Sequence, residues 1–364
     1  MSLFYINNKE YKTDATILDH INIKSIPKSY KVWLGASPQD AFLCHDPGDI
    51  FVIDKNVYHL YYNSDIFSHH KDSIFLVEAT EEKKSIETVL ELTKFLLQKN
   101  FTKKSKVIAI GGGITQDITA FCAATYKRGI KWVYFPTTLL SMCDSCIGGK
   151  TGINFNNIKN QLALFSSPTQ VHLAPHFLST LSDDDIKSGL GECIKLFKMA
   201  GERSLDIYRE CVKDGTLIRG KEVTLVREAL QIKRAVVEED EFETGNRTAL
   251  NYGHTIGHAL EVATKYRIPH GKAVAIGCVV EDNICKESSG DSIAPLVRDL
   301  IQKDIEEIDI DYDLVFSLVK KDRKVLGNKI KIATSPQPGT IIFDLIDLDE
   351  KFKNKMESYL RAIV

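Results

Sequence analysis

The stretch KVIAIGGGITQDITAFCAATYKRG, residues 106–129, decides the fold. It opens with a β-branched, apolar run that reads as a buried strand, passes through three glycines, and continues as a helical pattern that begins near Asp117. Glycine lets a diphosphate approach the backbone, and a helix start supplies amide donors and a favourable dipole. The spacing is not GxGxxG, so a tight strand-to-helix turn that needs positive φ explains the same glycines.

Runs of the same kind lie on both sides: KVWLG (31–35), IFVID (50–54), IFLVEA (74–79), WVYFP (132–136) and VHLA (171–174). Between them SIETVLELTKFLLQKN (85–100) has helical spacing, with Ile86, Val89, Leu90, Leu96 and Leu97 predicted to share a face and Asn100 suited to end the helix. Strands alternating with helices predict a parallel sheet with right-handed crossovers, a Rossmann-like α/β nucleotide-binding domain over residues 1–179. From 180 to 364 the pattern is mainly helical, over 183–199, 202–212, 221–239, 252–265, 271–287, 291–303, 311–321 and 348–364. Only IKIA (330–333) and TIIFDL (340–345) read as strands there. Two domains also suit 364 residues, more than one core usually serves.

A net charge of −2 with scattered basic residues gives no electrostatic case for nucleic acid or an anionic membrane as the partner. The N-terminal MSLFYINNKEYKTD lacks the pattern of a secretory signal, no apolar run is long enough for a membrane span, and a cytoplasmic protein is expected. The eight cysteines are spread through apolar surroundings, which suits reduced thiols. Cys143 and Cys146 form a CxxC, but no second pair completes a zinc site.

Chemistry-bearing residues concentrate in three further places. The stretch FPTTLLSMCDSCIGGKTGINFNNIKNQ (135–161) reads as a long polar loop in which Thr137, Thr138, Asp144, Lys150, Asn154, Lys159 and Asn160 sit among glycines, a composition suited to phosphate and polyols. In NYGHTIGHALE (251–261), His254 and His258 are spaced to share one side of a helix, with His270 and Glu192 as other ligands within reach. Thr255 stands where HExxH would need glutamate, and spacing alone does not choose the ligands. Before them, the charged run 233–247 holds Lys233, Glu243 and Arg247, which reads either as a solvated helix end or as a grip on an anionic substrate.

Taken in order, GGG…D, ATYKRG, PTTLL…D…GGKTGIN, KN, FL.TL, GE.IK, RTALNYGHTIGHALE and HGKAVAIG resemble the 3-dehydroquinate synthase family of sugar phosphate cyclases, from about residue 50 to about 335. The resemblance implies an N-terminal NAD-binding domain, a helical metal-binding domain and a homodimer. It implies that Glu192, His254 and His270 hold zinc or cobalt, with His258 at the substrate's phosphate end instead. Asp54, Asn56, Glu81, Lys84, Gly112, Gly113, Asp117, Thr137, Thr138 and Thr180 match cofactor-contacting positions, and Lys159 is assigned to the cofactor with them. Asp144, Lys150, Asn160, Lys195, Lys233, Arg247, Asn251 and His258 match substrate positions, joined by Glu243. Arg128 matches an arginine that reaches the neighbouring subunit's site, and Lys324 loosely matches a phosphate-binding lysine, with Arg323 where the family usually has another lysine.

The activity so implied converts 3-deoxy-arabino-heptulosonate 7-phosphate to 3-dehydroquinate and phosphate, by transient oxidation with NAD, phosphate elimination, re-reduction and an intramolecular aldol step. Gln116 and Ile158 stand where glycines are usual, which leaves room for a paralogue acting on sedoheptulose 7-phosphate or another sugar phosphate. A metal-dependent polyol dehydrogenase is a third reading, disfavoured by the lysine-rich phosphate loop.

Overall fold

The computed structural model describes residues 1–14, 18–26, 28–62, 70–156, 158–285, 292–301 and 308–364. The chain forms two compact units: Ile17–Leu181, and Met1–Thr16 together with Ser182–Val364.

In the first unit, a seven-stranded sheet runs in the order His20–Ile23, Tyr30–Leu34, Gln170–Leu173, Lys131–Pro136, Lys106–Gly111, Ile50–Asp54, Ile74–Val77. Its strands are parallel except His20–Ile23, which pairs antiparallel with Tyr30–Leu34. The central strands are buried on both faces, which is why they read as continuous apolar runs. From Ile74–Val77 the chain passes back beyond Ile50–Asp54 to Lys106–Gly111, so strand order reverses between those two neighbours. Open α/β sheets bind ligands outside the carboxyl ends of strands at such a point, and here Asp54 and Gly111 occupy those ends.

The helix after the glycines spans Gly113–Thr125, starting earlier than the predicted Asp117. Among Gly111, Gly112 and Gly113 none has a positive φ, so a left-handed turn does not explain them. A Cβ on Gly112 would stand 3.1 Å from Thr138, and one on Gly113 would meet open space, which suits close approach by a ligand. The helix Ile86–Gln98 buries Val89, Leu92 and Leu96, while Leu90 and Leu97 are exposed. The predicted face was therefore rotated: the buried stripe follows the spacing of 89, 92 and 96, and Asn100 leaves the helix at φ 54°.

The predicted polar loop 135–161 is partly a hairpin, Lys150–Phe155 against Ile158–Phe165. Its second strand is almost wholly exposed, so it lacks the buried alternation by which strands are recognised.

The second unit has the expected helices Asp183–Ala200, Glu202–Cys211, Glu222–Val237, His254–Ala263, His270–Cys285, Ala294–Ile301, Tyr312–Val319 and Glu350–Ile363. Residues 286, 287, 291, 302 and 303 of the predicted helices lie outside the described residues. A five-stranded sheet joins them, ordered Val325–Leu326, Lys329–Gln337, Thr340–Asp347, Leu3–Ile6, Lys9–Lys12. The expected domain 1–179 is thereby corrected at its start: Leu3–Ile6 pairs in parallel with Thr340–Asp347, and buries Phe4 and Ile6 in the C-terminal unit. The three aspartates of Asp183, Asp184 and Asp185 begin the helix Asp183–Ala200, and the Ser182 hydroxyl accepts the Asp185 amide.

Candidate active site

Helix Asp183–Ala200 is buried from Ser188 onward and carries Glu192 and Lys195 inward. Glu192 is 1% exposed; its Oε1 lies 3.7 Å from His254 Nε2 and 3.3 Å from His270 Nε2, and its Oε2 pairs with Lys195. His254 and His270 are each the first residue of a helix. Before His254 stands Gly253 at φ 78°, where a Cβ would lie 2.5 Å from both Cys278 Sγ and the Val274 carbonyl oxygen, so this turn demands glycine.

The second nitrogen of each imidazole is occupied: His254 Nδ1 by the Tyr252 carbonyl at 3.1 Å, and His270 Nδ1 by Glu261 Oε2 at 2.9 Å. That arrangement puts a proton on each Nδ1 and turns each Nε2 toward Glu192, the nitrogen through which such histidines coordinate when a metal is bound. Both carboxylate oxygens of Glu192 are buried without a hydrogen bond of good geometry, although charged groups face them. Two imidazoles and a carboxylate so arranged fit a catalytic zinc-type ion. Proximity alone would admit His258 too, because its ring nitrogens come within 4.8 Å of those of His254 and His270. What distinguishes the other two histidines is their contact with Glu192.

The electrostatics agree. Burial opposes a charge on Glu192, but Lys195 and His270 outweigh it and hold the carboxyl well below the usual range. Burial, then Lys195 and the neighbouring imidazoles, keep His254 neutral. Burial and His270 push His258 down to about 4. His270 alone is pushed up, to about 10, because Glu192 and Glu261 overcome its burial. A cation between Glu192 and the imidazoles would answer the same negative charge.

Beside the histidines lies a cavity of about 400 Å³, into which Glu243, Asn251, His254, His258 and Lys324 all face. Asn251 Nδ2 donates to Glu243 Oε1 at 3.1 Å, and Lys324 Nζ donates to Thr255 Oγ1 at 2.5 Å. Arg323, Lys331, Thr248 and Phe343 also line it and escaped sequence reading, apart from Arg323. Lys331 sits at an outward position of the alternating strand Lys329–Gln337, where a solvated lysine is the ordinary expectation. Lys195 and Lys233 are buried, and Arg247, also buried, donates to the Glu241 carbonyl instead of lining the cavity. Glu261, which holds His270, is a functional residue that the sequence reading misses; its position three after His258 is the available signal.

In the α/β unit, Lys84 Nζ pairs with Asp117 Oδ2 at 2.6 Å and donates to Asn160 Oδ1 at 2.8 Å. Asn154 Nδ2 donates to Glu81 Oε1 at 2.8 Å, and its Oδ1 accepts the Asn160 amide, so Glu81, Lys84, Asp117 and Asn160 are gathered together. Burial raises the Asp117 carboxyl, against the pull of Lys84. Asp54 Oδ1 accepts the amides of Asn56 and Val57, which fixes the turn at the end of its strand.

The Thr137 amide donates to the Gly111 carbonyl, and Thr138 packs beside Gly112. Thr180 bonds Tyr61, and Asp144 lies in the turn Ser141–Ser145. Lys150 and Lys159 are exposed on the hairpin. Arg128 is exposed, at φ 63°. Cys143 and Cys146 are buried free thiols that donate to main-chain carbonyls, and the other six cysteines are also free.

Two models of the same enzyme meet end to end along the chain: 3-dehydroquinate synthase N-terminal over residues 74–188 and C-terminal over 189–325. The chain belongs to the 3-dehydroquinate synthase family. A 3-dehydroquinate synthase of Streptococcus pyogenes serotype M6 is 32% identical over 325 residues, 85% of this chain and 89% of its own length. That of Clostridium tetani is 40% identical over 228 residues, 59% of this chain and 61% of the relative. A solved 2-deoxy-scyllo-inosose synthase, complexed with carbaglucose-6-phosphate, NAD+ and Co2+, shares the fold, with a TM-score of 0.82 at 20% identity over 93% of this chain and 99% of its own. As a 3-dehydroquinate synthase family member the protein is an enzyme, a dehydroquinate synthase-like cyclase.

Proposed function

We propose that the protein converts 3-deoxy-arabino-heptulosonate 7-phosphate to 3-dehydroquinate and phosphate. The observation that carries this reading is the Glu192, His254 and His270 donor set beside a cavity that His254 lines together with Arg323, Lys324 and Lys331. NAD, when bound, supplies a reversible hydride acceptor, and the divalent ion a Lewis acid for the oxygen being oxidised.

The protein's own share is orientation and charge. Lys324 and Arg323, with the neutral His258 beside them, receive the phosphate end; Asn251, held by Glu243, fixes a hydroxyl; Lys195 keeps Glu192 ionised. Among the cofactor contacts, Gly112 and Gly113 with the helix start at Gly113 take the diphosphate, and Asp54, Asn56, Glu81, Lys84, Asp117, Thr137, Thr138, Lys159 and Thr180 surround the nucleotide. Asp144, Lys150, Asn160, Lys233 and Arg247 complete the substrate set.

The active form is a homodimer in which Arg128 serves the neighbouring site. Its exposure and left-handed backbone support this, as do the exposed Phe155, Ile158, Leu162 and Phe165 on the hairpin. A cytoplasmic setting fits the free thiols, and no helix among the described residues is long and apolar enough to cross a membrane.

The test follows free phosphate together with absorbance at ~340 nm, the nicotinamide band, in metal-loaded protein given the heptulosonate phosphate and catalytic NAD. Phosphate release without net NADH is expected, and His254→Ala should reduce it at least about 10²–10³-fold, as for loss of a principal electrostatic stabiliser. Release from sedoheptulose 7-phosphate alone would reassign the substrate to a sister cyclase. Steady NADH from a simple polyol would sink the reading.

A further inference from the structure

Helix His270–Cys285 presents a metal-ligand candidate at its first residue and, about three turns later, two adjacent buried carboxylates that the chemistry above does not use, Glu281 and Asp282. Glu281 Oε2 accepts the Gly253 amide at 2.8 Å and its Oε1 accepts the Ile256 amide at 2.9 Å. A side chain from one helix thus caps the first turn of another, the turn on which His254 is mounted. Asp282 Oδ2 accepts the Tyr252 hydroxyl at 2.5 Å, and the carbonyl of that same Tyr252 holds His254 Nδ1. Asp282 also faces Lys198 at 3.5 Å, two turns along the helix that carries Glu192, and its Oδ1 accepts the Ser335 amide.

Every segment that bears a candidate ligand therefore ends on this one pair. Buried carboxylates are costly, and simple packing would be served better by apolar residues. We propose that Glu281 and Asp282 are positioning residues that set His254 in register with Glu192 and His270, so that the three donors converge on one ion. The proposal rests on the metal reading given above, and acts on it through the backbone turn Tyr252–Gly253.

The test uses the metal-free full chain, titrated with Co2+ by calorimetry and by visible absorption, beside thermal melting without metal. Glu281→Ala should weaken Co2+ binding about 10–100-fold, the range for outer partners of metal ligands, and shift the absorption band. Glu281→Gln keeps one acceptor oxygen for two amides and should fall between it and the unaltered protein. Leu205→Ala, a buried apolar truncation in Glu202–Cys211, should lower the melting temperature and leave Co2+ affinity unchanged.

If Glu281→Ala does not fold, Glu281→Gln against Leu205→Ala decides. Unaltered Co2+ affinity and spectrum in the Glu281 variants, with loss in His254→Ala, would overturn the positioning role alone. Equal weakening by Leu205→Ala would overturn it too, by showing a general effect of stability. Undiminished Co2+ binding in His254→Ala would instead remove the metal reading itself.

Discussion

The candidate metal ligands are side chains on helices; His254 and His270 are 13% and 33% exposed, but the ion pair they face is almost wholly withdrawn from water, Glu192 at 1% and Lys195 at 2%. The candidate cofactor contacts, in the α/β unit, gather at strand ends, where main-chain amides and partly wetted side chains share the work; Lys84 is 11% and Asp117 17% exposed. In the first arrangement each charge is tolerable only because another faces it, so single substitutions should propagate. In the second, glycine and backbone geometry set the shape, and the side chains around it are pinned by one or two bonds each. The two regions thus differ in how far a local change should travel.

Lys84 is where this contrast is most exposed to refutation, because its pair with Asp117 is the α/β unit's nearest counterpart to the buried charges of the other unit. Lys84→Met leaves Asp117 with a desolvated carboxylate and should cost about 3 kcal/mol in urea unfolding, the lower end for a broken buried pair because some solvent remains. A cost below about 1 kcal/mol would place the pair with ordinary surface ion pairs. The next effect sharpens the metal side: Glu261→Ala frees His270 Nδ1 and should weaken Co2+ binding about 10-fold or somewhat more, with no change in cofactor affinity. Unchanged Co2+ affinity would mean that Glu192 alone orients His270.

The smallest effect belongs to His172, which stacks on Phe135 at 4.7 Å and is pushed by burial down to about 4, despite Asp40. Its folded value lies below the ordinary 6.5, so the neutral ring's contribution is fully present above about pH 6.5 and is lost as pH falls toward about 4. His172→Gln should flatten the fall of melting temperature across that window. An identical slope would assign the acid sensitivity to other groups.

What could be read from the chain follows the same contrast. The three central parallel strands announced themselves because burial on both faces enforces apolar runs, and most helices of the C-terminal unit because one buried face enforces a period. The strand Leu3–Ile6 has only two buried side chains, too few for a pattern, and its partner lies far along the sequence at Thr340–Asp347. The hairpin Lys150–Phe155 and Ile158–Phe165 hides behind polar residues because little of its second strand is buried.

At the metal end, residue types named the candidates while spacing left His254, His258, His270 and Glu192 unranked; only the contacts of Glu192 separate them. Gln116 looked like a mere departure from a glycine. It is buried and bonds Ser145 twice, Nε2 to the carbonyl at 2.7 Å and Oε1 from the hydroxyl at 2.6 Å, so it ties the glycine-turn helix to the turn that holds Asp144. A side chain's partner across the fold leaves no trace in local sequence.

The parallel pairing of Leu3–Ile6 with Thr340–Asp347 has a consequence for synthesis. As the chain leaves the ribosome, residues of the α/β unit emerge together and can close their sheet at once. Leu3–Ile6 can pair early only with Lys9–Lys12; its other neighbour, Thr340–Asp347, is made after the α/β unit, so the sheet around Phe4 and Ile6 closes late. The sheet of the helical unit therefore closes only once segments that precede and follow the α/β unit in the sequence have both been made.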